Sequence, residues 1–445
     1  MAGTNSRRFL RGLLAAGAVA AAFWTAGAAA ALPQIQHWQT DNGARVYFVP
    51  THSLPIVDVR LTFDAGGARD GDTPGLARLT NELVTAGTDK LDAGAIARGF
   101  ENEGARVDND SRQDMAYLHL RSLSEEDHLK ASLDLFRRVL ANASFPAAGL
   151  KRTRRQMLVG LKQQLQDPGE IAERRLQKDI YGGHPYGTPA DGTVKGLRAV
   201  RRDDVRRFYQ RYYVAHNLVV AIVGDVSRER AEQIAGRLAD ARPAGEAAPE
   251  LPKVQPPAKA KTERIDFSSK QTHILLGEPA VARGAPDWHA LYVANHILGG
   301  GGLTSRLAKE MREKRGLSYS TSSFFAPAAR AGRFEIQTQV RNDKRDEALS
   351  VLRDTLMDFY ENGPTQDELD SAKRNITGSF PLQLDSNRDI LGYVAMIGFY
   401  DLPLDYLQTF RDKVQQVTVE EVHKAFQRHV DPDRLITVMV GPFKD

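Results

Sequence analysis

Cysteine is absent from all 445 residues. That excludes a disulfide scaffold, a thiol nucleophile and every zinc or iron–sulfur site that needs a thiolate. A surplus of one charge is also missing: 60 Lys and Arg face 56 Asp and Glu, a formal net charge of +4. Three of those cations, Arg7, Arg8 and Arg11, lie in a segment expected to be removed, and without them the balance is +1. No basic stripe with interleaved aromatics is present, so nothing points to a nucleic-acid surface. Gly-x-Ser-x-Gly is missing, which removes the hydrolase nucleophile elbow. Gly299–Gly302 runs into Leu303-Thr304-Ser305 and not into Lys-Ser/Thr, so it is no phosphate loop. There are eleven histidines, and no two are spaced i,i+4. His289 and His296, seven apart, could share a helix face, where packed or solvated histidine is the commoner outcome. What remains is an ordinary globular composition, 42% apolar and 26% charged. The length allows about two to four domains.

Residues 1–31 have the grammar of an export signal: three arginines, an apolar Ala-rich run over 12–31, and several A-x-A cleavage choices near Ala29–Ala31. Ser6-Arg7-Arg8-Phe9-Leu10-Arg11 resembles a twin-arginine signal, and Sec export reads nearly as well. The expectation is a periplasmic or secreted protein with no stable membrane span after cleavage. No later window is long and apolar enough to cross a bilayer.

The rest of the chain is written twice. Val205–Gly224 aligns with Val422–Gly441 at a constant offset of 217, without a gap. Val205/Val422, Gln210/Gln427, Arg211/Arg428, Leu218/Leu435, Val223/Val440 and Gly224/Gly441 are identical. Each copy predicts a helix, a short polar turn and a β-branched strand. Gly104 and Gly316 form a weaker upstream match. Between the copies, Ala241–Lys261 holds five prolines and no periodicity, which suits an extended linker. The expected organisation is domains at 32–240 and 262–445 joined by 241–261.

In the first copy, Ala44–Val49, Ile56–Phe63 and Met115–Leu120 read as strands. Pro74–Ala86 reads as a helix capped by Asp72 or Thr73, Asp92–Glu103 as a helix ended by Gly104, and Glu126–Leu140 as a helix with Leu129, Leu133, Phe136 and Leu140 at helical spacing. Strands mixed with helices, twice over, predict an α+β or α/β class with each sheet covered on one side.

Several short runs resemble one family. Asp64-Ala65-Gly66-Gly67 with Thr73-Pro74-Gly75-Leu76-Ala77, then His184-Pro185-Tyr186-Gly187 with Gly192-Thr193, is similar to the N-terminal half of the M16 (insulinase/pitrilysin-like) peptidases. Leu298-Gly299-Gly300-Gly301 with Ser305-Arg306-Leu307, then Arg312-Glu313-Lys314-Arg315-Gly316-Leu317-Ser318-Tyr319, is similar to the C-terminal half. The tags fall in order from about residue 40 to 441. The resemblance implies two similar α/β roll domains and the two-domain branch, whose members pair into a clamshell.

The resemblance also marks a departure. The family's zinc helix carries His-x-x-Glu-His, two histidines on one face and a glutamate that activates water. Position by position, this chain has Arg78 for the first His, Asn81 for the Glu and Glu82 for the second His. Where the family places its third ligand, a Glu, the window reads Met157-Leu158-Val159-Gly160. The expectation is no metal and no cofactor on this chain. Arg78 and Glu82 also fit an ordinary i,i+4 helix pair.

Arg312 and Tyr319 match the family's Arg/Tyr pair, which reaches across to the zinc of the other half. A tyrosine hydroxyl there can donate to the oxyanion forming on a scissile carbonyl, and an Arg fork can hold backbone carbonyls. The resemblance therefore implies the non-catalytic subunit of a heterodimeric zinc peptidase. Arg312 and Tyr319 are its catalytic contribution, and Gly299, Gly300, Gly301 and Gly302 its substrate-touching loop. Zinc is expected in a His-x-x-Glu-His partner subunit, with peptides as substrates. The rival reading is a catalytically inactive peptide-binding or assembly protein of the same fold.

Overall fold

A computed structural model describes residues 32–443. The export-signal expectation, on residues 1–31, lies outside them. The first half runs β1 (Gln36–Gln39), β2 (Arg45–Pro50), β3 (Ile56–Phe63), α1 (Leu76–Leu83), α2 (Ala93–Asn102), β4 (Arg106–Ser111), β5 (Ala116–Leu123), α3 (Glu126–Ala141), α4 (Ala147–Gln164), α5 (Pro168–Tyr181), α6 (Val194–Ala199), α7 (Arg202–Tyr212), β6 (Leu218–Gly224) and α8 (Arg228–Ala239). The second runs β7 (Lys261–Asp266), β8 (Gln271–Pro279), α9 (Trp288–Asn295), α10 (Arg306–Ala308), β9 (Thr321–Ala326), β10 (Arg333–Arg341), α11 (Arg345–Asn362), α12 (Gln366–Ser379), α13 (Asn387–Phe399), α14 (Tyr406–Gln416), α15 (Val419–His429) and β11 (Ile436–Gly441).

Each half builds one mixed sheet, ordered β1-β2-β6-β3-β5-β4 and β7-β11-β8-β10-β9. Apart from β1 the two orders are the same. In each, the first of the shared strands pairs parallel with the last, β2 with β6 and β7 with β11. The repeat seen in the sequence is the unit α7–β6 and its copy α15–β11, whose helices begin at Arg202 and Val419.

Strands β6 and β11 are buried at every residue. An unbroken apolar run of this kind requires cover on both faces, and both sheets have it. The expectation of one covered side is therefore corrected. On one face of the first sheet, Phe48, Val59, Leu61 and Ile222 pack with Leu79 of α1, Phe136 of α3 and Phe208 of α7. On the other, Tyr47, Val219, Ala221 and Val223 meet Ile390, Leu391, Val394 and Ala395 of α13, from the second half. The exchange is reciprocal: Ala172, Leu176 and Ile180 of α5 pack on Leu275, Ile436, Val438 and Val440 of the second sheet.

Residues 242–260 carry no helix or strand, yet they are strapped down. Ala248 N–H donates to Asn217 Oδ1 at 2.7 Å, Arg211 donates to the Glu246 carbonyl at 2.8 Å and Arg330 Nε to the Leu251 carbonyl at 2.6 Å. Leu251 is buried in the core beside α5.

The start of α1 differs from expectation. Neither Asp72 nor Thr73 caps it. Gly75 is the N-cap, at φ +97°. The cap charge comes from Asp70, whose two carboxylate oxygens accept the Gly75 and Ala77 N–H groups, both at 2.6 Å. Burial pushes the Asp70 pKa up to about 7 despite those two bonds. The helix then closes with a 3-10 turn, Val84–Ala86.

Candidate functional site

Helix α1 places the three positions that match the family's zinc motif. Asn81 is fully buried and spent on structure. Its Oδ1 accepts the Tyr213 hydroxyl at 3.0 Å, its Nδ2 donates to the Tyr117 carbonyl at 3.3 Å, and its own carbonyl accepts from Asn109 Nδ2 at 3.1 Å. The amide thus ties α1 to β4, β5 and the end of α7. Arg78 and Glu82 form no ion pair among the described residues, contrary to the i,i+4 expectation. Burial raises the Glu82 pKa, and the Arg78 charge counters only part of that rise. On α4, Val159 is exposed and Gly160 has open space where a side chain would be. A cation, an engaged amide and a valine are not a zinc donor set. Among the described residues no three His, Asp or Glu converge on one point that could hold a metal ion. His289 and His296 are packed: burial pushes His289 down to about 4, with Lys413 adding to it, and lowers His296.

Arg78 opens onto a cleft of about 430 Å³ that both halves line. The first half contributes Asp110, Ser111 and Arg112 from the end of β4, Glu170, Glu173 and Arg174 from α5, and the rings of Tyr181 and Tyr186. The second half contributes Ala326, Ala328, Gly332 and Arg333. Three arginines there have partners: Arg112 with Asp110 at 3.2 Å, Arg333 with Glu173 at 2.6 Å, and Arg174 with Asp191. A second hollow of about 320 Å³ shares Glu170 and Glu173 and is lined by His273, Ser320, Ser322 and Gln337.

Beside the cleft, Asp114 joins the two halves. This buried carboxylate accepts the Tyr186 hydroxyl, the Tyr400 hydroxyl at 3.0 Å and the Ala329 N–H at 2.8 Å. The Tyr186 hydroxyl in turn accepts the Arg330 N–H at 3.1 Å. So the tyrosine of the His184-Pro185-Tyr186-Gly187 run is half of a clasp. The sequence reading missed Asp114, because a lone Asp whose partners lie up to 286 residues away carries no local signal.

Arg312 and Tyr319 lie together on the second half. Arg312 sits in the π-helical turn Lys309–Glu313, Gly316 turns the chain at φ +60°, and Ser318 bonds the Gln339 carbonyl at 2.9 Å just before β9 begins at Thr321. The Arg312 guanidinium stacks over the Tyr319 ring at 4.6 Å. Tyr319 is 81% exposed, and its hydroxyl has no partner among the described residues. Neither residue lines the cleft, although Ser320 reaches the second hollow. The glycine run packs behind them. A Cβ on Gly299 would lie 2.5 Å from the Ser323 amide nitrogen of β9, one on Gly301 would lie 2.6 Å from the His296 carbonyl, and Gly302 sits at φ +61°. Close packing and backbone conformation therefore already require glycine here.

Comparison with known proteins agrees with this architecture. Residues 45–194 match the family model described as insulinase (peptidase family M16), and residues 199–376 match the one described as peptidase M16 inactive domain. A crystal structure of a peptidase M16 inactive domain from Pseudomonas fluorescens is 41% identical, with a TM-score of 0.89, covering 92% of this chain and 98% of that one. A Helicobacter pylori relative named "Non-peptidase homolog YmxG" is 25% identical, over 89% of this chain and 91% of that one. A Streptomyces coelicolor relative named an uncharacterized zinc protease is 29% identical, over 85% of this chain and 83% of its own.

Proposed function

The chain belongs to the M16 (insulinase) peptidase family, and from that premise we propose that it is a non-catalytic subunit lending Arg312 and Tyr319 to a zinc-bearing M16 partner that hydrolyses peptides. One observation carries the reading. Of the positions that would bind zinc, Asn81 is committed to Tyr213 and Tyr117 and Val159 and Gly160 offer no donor, while Tyr319 stays exposed with Arg312 stacked on its ring and no other side-chain partner among the described residues. An exposed tyrosine hydroxyl with no internal bond is free to donate to an oxyanion forming elsewhere, and an Arg fork beside it is free to hold a substrate carbonyl. The zinc, held by the partner's His-x-x-Glu-His, supplies the activated water. The name of the Helicobacter relative, a non-peptidase homolog, supports the absence of independent catalysis. Residues 1–31 support export, so the pair would work in the periplasm or outside the cell. Peptides would enter a chamber formed by the two subunits and add along a sheet edge.

The cleft of about 430 Å³ favours a second reading, since it is formed by this chain alone: an inactive peptide-binding protein that needs no zinc partner. Purifying the full-length chain from its native host separates the two. The first reading expects an M16 protein with an intact His-x-x-Glu-His to co-purify, and peptidase activity to require both chains and one zinc on the partner. Recovery of this chain alone, binding peptide without cleaving it, would favour the second.

A further inference from the structure

Arg78 stands where the family has a zinc-binding histidine, and its surroundings suit an anion. It lines the cleft and makes no hydrogen bond or ion pair within 4 Å among the described residues, while Arg112, Arg174 and Arg333 are each committed to a carboxylate. A second observation points to the same place. Ser111 lines the cleft, is 3% exposed, and its Oγ has no hydrogen-bond partner among the described residues. A buried hydroxyl left unpaired is unfavourable, so a ligand oxygen here would satisfy it. Ser111 also ends β4, which among the described residues pairs only with β5 and is the edge of its sheet. The outer N–H and C=O groups of β4 are open to an added strand. Glu170 also lines the cleft and makes no ion pair with Arg78. Burial and the neighbouring Glu173 charge raise its pKa, with Arg174 opposing.

We propose that the cleft is a carboxylate site in which Arg78 and Ser111 hold the C-terminal carboxylate of a short peptide laid along β4. A guanidinium fork can grip both carboxylate oxygens at once, which neither the family's histidine nor a lysine would do. The inference rests on the reading above that this cleft takes peptides.

The test is fluorescence anisotropy on the full chain with an N-terminally fluorescein-labelled octapeptide of Ala and Val. It is used in three forms: free acid, C-terminal amide, and amide with Glu at the seventh position. The free acid should bind about tenfold or more tighter than the plain amide, as expected for loss of a charged hydrogen-bonded pair. Arg78→Gln should abolish that preference with an unchanged Tm, and Ser111→Ala should reduce it. Equal affinity for acid and amide, or a preference that survives Arg78→Gln, overturns this site and leaves the peptide cleft standing. Tight binding that follows the internal Glu overturns the assignment to the chain end. No binding of any form overturns the site and the peptide reading together.

Discussion

Asn81 decides what α1 can do. Putting back the family's motif by Arg78→His, Asn81→Glu and Glu82→His would set a carboxylate against the buried Tyr213 hydroxyl and the Tyr117 carbonyl, and α4 would still offer Val159 and Gly160 instead of a ligand. The triple variant is expected to hold no stoichiometric zinc by metal analysis and to unfold at lower urea than wild type. A second residue-scale device lies on the first sheet, where His119 bonds Asp58 at 2.8 Å and Asp108 at 3.0 Å and Arg121 adds a fork to Asp58. Burial alone would lower the His119 pKa, but the bonds to Asp108 and Asp58 outweigh it and raise the value. Burial would raise Asp58, yet His119 and Arg121 hold it below its usual range. Asp108 is lowered first by its His119 bond. The His119 contribution is complete below its ordinary pKa of about 6.5 and fades as pH rises through the raised value. The two carboxylates contribute fully above about 3.9 and lose that contribution as pH falls. Urea titrations should show stability declining as pH rises above about 6.5, and His119→Gln should flatten that decline. In the sequence, Arg78, Asn81 and Glu82 were legible as departures from a family pattern. The bonds that occupy Asn81 were not, because Tyr213 lies 132 residues away.

Elements were legible wherever their signal was local. Strand β3 spans the expected Ile56–Phe63, α3 follows the spacing of Leu129, Leu133, Phe136 and Leu140, and the constant offset of the repeat became two equivalent helix–strand units. The start of α1 was misread because its cap is supplied by Asp70 from five residues before Gly75, outside the usual capping pattern. The helix exchange was hidden for a deeper reason. Ala172, Leu176 and Ile180 mark an apolar face on α5, but periodicity identifies a face and says nothing about which sheet it meets. Leu176 is fully buried against the second sheet, so Leu176→Ala should cost about 2–5 kcal/mol. Because α5 belongs to one half and stabilises the other, the loss should appear as one shifted cooperative transition, recorded by circular dichroism and fluorescence together. Separate transitions for the two halves would contradict the interlocking.

At the scale of the molecule, the two copies form one interlocked unit. Each sheet takes one covering helix from the other copy, Asp114 clasps the halves beside the cleft, and the Pro-rich segment is strapped across both. The proposed role requires two side chains held in place, and the backbone that carries Arg312 and Tyr319 is shaped by a π-helical turn, Gly316 and the Ser318 bonds just before β9. The sequence offered this pair only through its likeness to a family. Nothing in the composition or spacing of Arg312-Glu313-Lys314-Arg315 distinguishes it from a solvated helix end. Turnover of the assembled pair tests the proposed role of Tyr319. Tyr319→Phe removes one hydroxyl that has no internal bond, so the variant should fold and assemble with the zinc-bearing partner as wild type does, while kcat on a single peptide falls by about 10²–10³. Wild-type kcat from a fully assembled Tyr319→Phe complex would contradict the claim.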